Sequence, residues 1–245
     1  MLLLITGASG VGKSTVRAVV APELSPQVES VELRDLAPSI ATRLGWRQQA
    51  AEIAVRRAVE LRASGRHLLL AGDPVPAIEV IAAPSAPELD AVAVCLLDVS
   101  AEAQAARLAA RGDDPTLLVH HQAFAEWMRR QASDPTHMPH VVSDQGWEEM
   151  RWERLAHLAD RWRMHTIDTS HLSREEVADE VLEWCRRALA GDAPVLQVNS
   201  AVRSRPSAPA LWGNRRSAAT RAPSAIAARG PVRCQPALGG AGVRP

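Results

Sequence analysis

Residues 7–15 read GASGVGKST, and Lys13 within them is the only lysine of the chain. Lys and Arg together number 28, so the other 27 basic positions are all arginine. The stretch follows the apolar run LLLIT (2–6) and opens into KSTVRAVVAPEL, whose composition reads as a helix. A strand that ends on a glycine-rich turn and feeds a helix constrains the fold more than any other feature here. Gly7, Gly10 and Gly12 let the backbone turn tightly and point its N–H groups at an anion. The positive end of the helix dipole adds to that field. A compact, flexible ammonium at Lys13 suits the β- and γ-phosphates of a nucleotide, and a planar guanidinium replaces it poorly. The Ser14 hydroxyl is a hard oxygen donor of the kind Mg²⁺ prefers. Gly7, Ala8, Ser9, Gly10, Val11, Gly12, Lys13, Ser14 and Thr15 are therefore the expected phosphate-binding loop.

The rest of residues 1–190 alternates strand and helix signals. VESVELRDL (28–36) alternates like a second strand, and WRQQAAEIAVRRAVELRASG (46–65) is helical, with Gly65 as its stop. RHLLLAGD (66–73) and DAVAVCLLDVS (90–100) read as a third and a fourth strand, the latter followed by the helix AEAQAARLAARG. Residues 115–164 read as mostly helical, with breaks near Pro135, Pro139 and Gly146. MHTIDTS (164–170) supplies a fifth strand. The last helix starts at Ser173, with Glu176 completing a capping box, and closes at Gly191. Such alternation predicts an α/β fold whose five-stranded parallel sheet is covered on both faces. Ligands of such sheets sit beyond the carboxyl ends of the strands.

Those ends carry the candidate residues. After the third strand, Asp73 could hold Mg²⁺ through water. After the second, a carboxylate could take a proton from an acceptor hydroxyl, with Asp35 the first choice and Glu32 the second. After the fourth, Arg107 and Arg111 lie four apart on one helical face and could neutralise a transferring phosphoryl group. His120, His121, His137 and His140 have no acidic or Cys companions at ligand spacing and read as surface histidines. Trp147, Trp152 and Trp162 read as packing residues rather than base-stacking ones.

Charge divides the chain. All 28 acidic residues lie at or before Asp192, against twenty basic ones, which leaves residues 1–192 at −8 and residues 193–245, with eight arginines, at +8. Seven prolines, five glycines and no sustained apolar period mark 193–245 as a disordered Arg/Pro/Ala-rich tail. Its arginines could meet anionic partners, although their scatter among Pro and Ala argues against nucleic-acid binding. Cys95, Cys185 and Cys234 form no metal-type cluster, no run reaches the roughly 20 apolar residues of a membrane helix, and MLLLIT is too short for a signal peptide. A cytoplasmic protein, monomeric or homodimeric and away from membranes, is expected.

Taken together, three stretches resemble the P-loop small-molecule kinases, a family that includes adenylate kinase, shikimate and gluconate kinases and chloramphenicol phosphotransferase. LITGASGVGKST is similar to the family's loop, CLLDVSAEAQAARLAARGDDP to its fourth strand and lid-bounding R-x-x-x-R pair, and IDTSHLSREEVADEVLEWC to its last strand, base loop and closing helix. The resemblance covers about 1–190 and implies the three-layer P-loop NTPase fold, ATP with Mg²⁺, and a small-molecule phosphoryl acceptor. It implies that Arg107 lies against the adenine, that Arg111 contacts the ATP phosphates, that Thr169 and Ser170 border the base, and that Asp73 is near the metal. A helical lid over about 112–135 would close on the site, with Arg129 and Arg130 as further lid arginines. AGDPV lacks the arginine of the adenylate kinase turn, which speaks against a nucleoside monophosphate, and ELRDL replaces the Asp-x-Asp of shikimate kinase, which speaks against shikimate; the acceptor is left open as a nucleoside, a nucleotide or another hydroxyl compound. The reading is an ATP-dependent kinase with Lys13, Asp35 and Arg111 as catalytic residues. The alternative is a nucleotide-binding regulatory ATPase or switch without an acceptor. A GTPase of the common kind needs a second lysine, which the chain lacks.

Overall fold

Runs of leucine and valine become the central strands. The computed structural model describes residues 1–41, 43–144 and 146–198. Strand β1 (Leu2–Thr6) lies in the middle, β2 (Val28–Glu32), β3 (His67–Ala71), β4 (Val92–Asp98) and β5 (His165–Asp168) surround it, and all neighbours pair in parallel in the order β2-β3-β1-β4-β5. Leu3 registers with Leu69 on one side and Ala93 on the other. Successive residues of a strand face opposite sides of a sheet, and here both sides are covered. Leu2, Leu4, Leu68 and Leu70 join a core with Ala50 and Ala54 of α3 (Trp46–Arg62) and Ile78 and Ile81 of α4 (Ala77–Ala82). Leu3, Ile5 and Leu69 join a second core with Val16 and Val20 of α1 (Lys13–Leu24) and Val181 and Trp184 of α8 (Arg174–Ala190). Fully burying each of these leucines contributes roughly 2 kcal/mol, and the one buried polar side chain of β1, Thr6, donates its hydroxyl to Val75 O at 2.5 Å. The fold is the expected three-layer α/β arrangement.

Local chemistry sets the helix ends. At α8 the Ser173 hydroxyl accepts from the Glu176 backbone N–H while the Glu176 carboxylate accepts from that of Ser173, the capping box expected from sequence. The Ser100 hydroxyl caps α5 (Ala101–Arg111) by accepting from Ala103 N–H at 3.1 Å, and Gly112 ends it in a left-handed conformation.

Three stretches differ from expectation. The second strand stops at Glu32, and the chain turns into the short helix α2 (Leu33–Leu36), because Leu33 and Leu36, three apart, both pack into the first core. Residues 115–164 hold one long helix, α6 (Leu118–Ser133), then only α7 (His140–Ser143) and 3₁₀ turns at Trp152–His157 and Ala159–Arg161. There Trp152 and Trp162 anchor the chain to the core, and Trp162 Nε1 donates to Gln131 O at 2.8 Å. Residues 193–198, read as the start of the tail, are packed: Leu196 N donates to Val92 O at 2.7 Å, and Leu196 and Val198 are buried. The remainder of the expected tail, 199–245, lies outside the described residues. No helix among the described residues is long and apolar enough to cross a membrane.

Candidate active site

The loop between β1 and α1 is shaped by its glycines. Gly7 has φ +145°, and a Cβ there would stand 2.3 Å from the carbonyl oxygen of Leu97, so the neighbouring strand β4 permits only hydrogen at that position. Gly12, with φ +96°, caps α1 in the left-handed region. Lys13 is 6% exposed, and its Nζ donates to Gly7 O at 2.9 Å and Ala8 O at 2.8 Å. Burial pulls its pKa down to about 7, Asp73 and Glu32 push it up, and Arg111 pulls it down further. An ammonium held in this way is short of counter-charge, and bound phosphates would supply it.

A cavity of 340 Å³ opens above the loop. Ser9, Gly10, Gly12, Lys13, Ser14 and Thr15 line its floor, Gly72, Asp73 and Pro74 one wall, Glu32 and Arg34 the far end, and Arg111 the opposite one. Sheet order explains this arrangement. Reading along the carboxyl ends of the strands, β2 supplies Glu32 and Arg34, β3 supplies Asp73, β1 the phosphate loop, β4 and α5 supply Arg107 and Arg111, and β5 leads to Thr169 and Ser170. The Ser14 hydroxyl and the Glu32 and Asp73 carboxylates are oxygen donors that fit Mg²⁺. Among the described residues no three His, Cys, Asp or Glu side chains are grouped to hold a metal unaided. Phosphate oxygens and water would complete the shell, as a small octahedral cation allows.

The expected site residues divide into three groups. Ser9, Gly10, Gly12, Lys13, Ser14, Thr15, Asp73 and Arg111 line the cavity, whereas Gly7, Ala8 and Val11 shape the loop from beneath, the last two buried in its packing. Arg107, Thr169 and Ser170 are outside the cavity lining, with Arg107 held on Thr169 and Ser170 on Ser100. Arg107 donates to Thr169 Oγ1 at 2.8 Å and to Thr169 O at 2.5 Å, and Ser170 Oγ accepts from Ser100 N at 2.8 Å. Asp35 is brought to neither place. It stands exposed on α2, outside the cavity lining, because the helical turn that buries Leu33 carries it away from the strand end. Glu32, the second choice, lines the cavity at the last residue of β2, where Arg17 Nε donates to it at 3.4 Å.

Arg111 is drawn to Asp113, donating from Nε at 2.6 Å, a contact it would exchange to reach a phosphate. Arg129 and Arg130, the further arginines expected of the lid, are both ion-paired. Arg129 donates to the Asp98 carboxylate at 2.8 Å and to Val99 O at 3.0 Å, and Arg130 donates to Glu126 at 3.0 Å. Within the expected lid, Ala125, Trp127 and Met128 of α6 are buried in the core and Phe124 packs against it.

Several contacts in and beyond the cavity escape a linear reading. Arg34 Nη2 donates to Asp73 Oδ1 at 2.5 Å, and its guanidinium carbon stands 5.3 Å from the centroid of the Trp46 ring. Gln104 Nε2 holds Ser9 O at 2.9 Å, tying α5 to the phosphate loop. Gln48 donates to Val142 O at 2.7 Å and accepts from Trp147 N at 2.5 Å, while Arg47 pairs with the buried Glu79 at 2.7 and 2.8 Å. No pattern in the sequence marks these partners, which are 32 to 99 positions apart except for Arg34 and Trp46.

No family model matches the sequence, and no curated protein matches it. In structure, the chain is similar to an unliganded sugar kinase from Janibacter sp. HTCC2649, at 18% identity over 77% of this chain and 96% of that one, with a TM-score of 0.50. A gluconokinase from Sinorhizobium meliloti 1021 aligns at 15% identity over 77% and 93% with a TM-score of 0.43, and a shikimate kinase from Acinetobacter baumannii at 15% over 76% and 93% with 0.42. The chain has the fold of the P-loop small-molecule kinases. At these identities the likeness reaches the fold and no further.

Proposed function

We propose that the protein is an ATP-dependent phosphotransferase acting on a small hydroxyl compound. One observation carries this reading: a single cavity collects the buried ammonium of Lys13, the Ser14 hydroxyl, the carboxylates of Glu32 and Asp73, and Arg111. The triphosphate would lie on the loop, its β- and γ-oxygens met by backbone N–H groups and Lys13. Mg²⁺, when bound through Ser14 and by way of water to Asp73, would offset the charge of the phosphate oxygens. The acceptor would enter from the β2 end, where Glu32 would take the proton of its hydroxyl. The acceptor oxygen then bonds to the γ-phosphorus, the bond to the bridging oxygen breaks, and its electron pair leaves with ADP. Arg111, released from Asp113, would neutralise the equatorial oxygens. Movement of residues 112–117, which precede α6, would exclude water that would otherwise hydrolyse ATP. Free, buried Cys95 and Cys185 fit a reducing, cytoplasmic setting.

The test is ADP release by the full chain with Mg²⁺ and ATP, screened against hydroxyl compounds, with Lys13→Ala as the control. An acceptor that raises release above the basal rate, with the rise abolished in Lys13→Ala, supports the reading. Tight ATP binding without stimulation by any acceptor would favour the regulatory ATPase instead.

A further inference from the structure

The two ends of the cavity differ in what their arginines touch. At the nucleotide end, Arg111 is paired with Asp113, which lies outside the chemistry. At the other end, Arg34 is paired with Asp73, the carboxylate best situated for the metal. The Arg34 side chain is 49% exposed and that of Asp73 is 19% exposed, so the guanidinium stands at the cavity mouth while the carboxylate reaches inward. The Trp46 ring lies against the guanidinium at 5.3 Å. A flat aromatic surface beside a planar cation limits how it can turn and leaves its N–H edge available for a bidentate contact. The other carboxylate at this end, Glu32, already has a cation of its own in Arg17 at 3.4 Å.

Asp73 cannot serve Arg34 and a hydrated Mg²⁺ equally well. A divalent cation drawn to that carboxylate repels a guanidinium a few ångströms away and takes over its counter-charge. Arg34 would then be left oriented by Trp46, facing the space where the acceptor must enter, and without the anion it held before. We infer that Arg34 exchanges Asp73 for an anionic group of the acceptor, so that the phosphoryl acceptor is a hydroxyl compound carrying its own carboxylate or phosphate. This rests on the kinase reading and deepens it. A neutral polyol would leave the guanidinium uncompensated beside the metal, and so would be disfavoured where an acid of the same skeleton is accepted. The exchange also sets an order of events, because the anion site exists only once the metal and nucleotide have claimed Asp73. Arg34 forms and breaks no covalent bond; it is a specificity-determining contact to the substrate.

The test uses the full chain loaded with Mg²⁺ and the β,γ-imido analogue of ATP, which fills the γ-phosphate position. Formate and inorganic phosphate are titrated separately, with tryptophan emission as the readout and Trp46→Phe to identify the responding ring. The expected result is a saturable response to one of the anions in the loaded protein, absent without Mg²⁺ and nucleotide. That response weakens by about tenfold or more in Arg34→Gln and by less in Arg34→Lys, which keeps the charge but loses the fork. The anion that binds more tightly assigns carboxylate or phosphate. In parallel, calorimetry of the nucleotide analogue against Mg²⁺ should show half-saturation at lower Mg²⁺ in Arg34→Gln, since Asp73 is already free. No response to either anion in the loaded protein, an unaltered response in Arg34→Gln, or an unchanged Mg²⁺ requirement would each overturn the proposal. If Lys13→Ala binds the nucleotide as well as the unaltered protein does, the kinase reading itself fails, a result distinct from all of these.

Discussion

The two halves of the cavity, which the proposed function gives to nucleotide and to acceptor, are made of different material. The first is backbone. Gly7, Gly10 and Gly12 have positive φ, the strand β4 closes against Gly7, and the side chain at its centre, Lys13, is buried and held by two carbonyls. The second half is side chain. Glu32 ends β2, Arg34 lies on α2 and Asp73 follows β3; all three are partly exposed and are held by ion pairs at 3.4 and 2.5 Å. A backbone cradle has its shape before a ligand arrives, and its cost is met once, in folding. Ion-paired side chains can change partners for little energy, since exposed pairs contribute about 0–1 kcal/mol. A triphosphate is common to many reactions and the acceptor is particular to one, so the rigid half suits the former and the exchangeable half the latter.

Three measurements would break or sharpen that contrast. The largest effect is expected at Gly7. In Gly7→Val, Cβ would meet Leu97 O at 2.3 Å and Val11 Cγ2 at 2.9 Å, so a loss of about 4 kcal/mol or more is expected in urea denaturation, or no folded protein at all. At Gly12 a Cβ meets nothing within 4 Å, and Gly12→Ala should cost only the left-handed backbone, about 1–2 kcal/mol. Equal losses at the two positions would mean that the loop is not held by β4.

Next come the two carboxylates of the acceptor half. Glu32→Gln should lower kcat by about 10²- to 10⁴-fold for the best acceptor found, the usual worth of a general base. Asp35→Asn, an exposed residue outside the cavity, should stay within about twofold under the same principle. The reverse ranking would return the proton to Asp35 and require α2 to unwind on binding.

The smallest effect is a pH dependence. With its pKa near 7 in the empty site, Lys13 is progressively neutral above that pH, whereas bound phosphates favour its charged form. Nucleotide affinity should be flat below pH 7 and then fall by up to about tenfold per unit, with one proton taken up on binding, as calorimetry in buffers of different ionisation heat can read. Stability runs the other way. A lysine whose pKa is lowered by folding opposes the fold most below pH 7, and that penalty fades as the pH rises toward the ordinary lysine range. Affinity that holds level to pH 9 would show that Lys13 stays charged in its two-carbonyl cradle.

Much of the fold is legible along the chain because its causes are local. The run LLLIT, the glycines at 7, 10 and 12, the capping box of Ser173 and Glu176, and Gly112 as a helix stop act through neighbours within a few residues, and each stands where the pattern puts it. The strand that was read too long, 28–36, shows where this ends. Alternation and a helical turn are indistinguishable over ELRDL until it is known that Leu33 and Leu36 must both reach the same core.

The sequence by itself determined that a strand, a glycine turn and a lysine-bearing helix would build a cradle of the shape an anion needs at the carboxyl end of a parallel strand, since φ, hydrogen-bond geometry and helix dipole are properties of adjacent residues. Only the tertiary structure decided that Glu32 rather than Asp35 lines the cavity, that Arg34 holds Asp73 39 positions away, and that Trp46 backs it. Those contacts join different strand ends and helices, and their partners are chosen by the order of strands in the sheet, which no short stretch of the chain encodes.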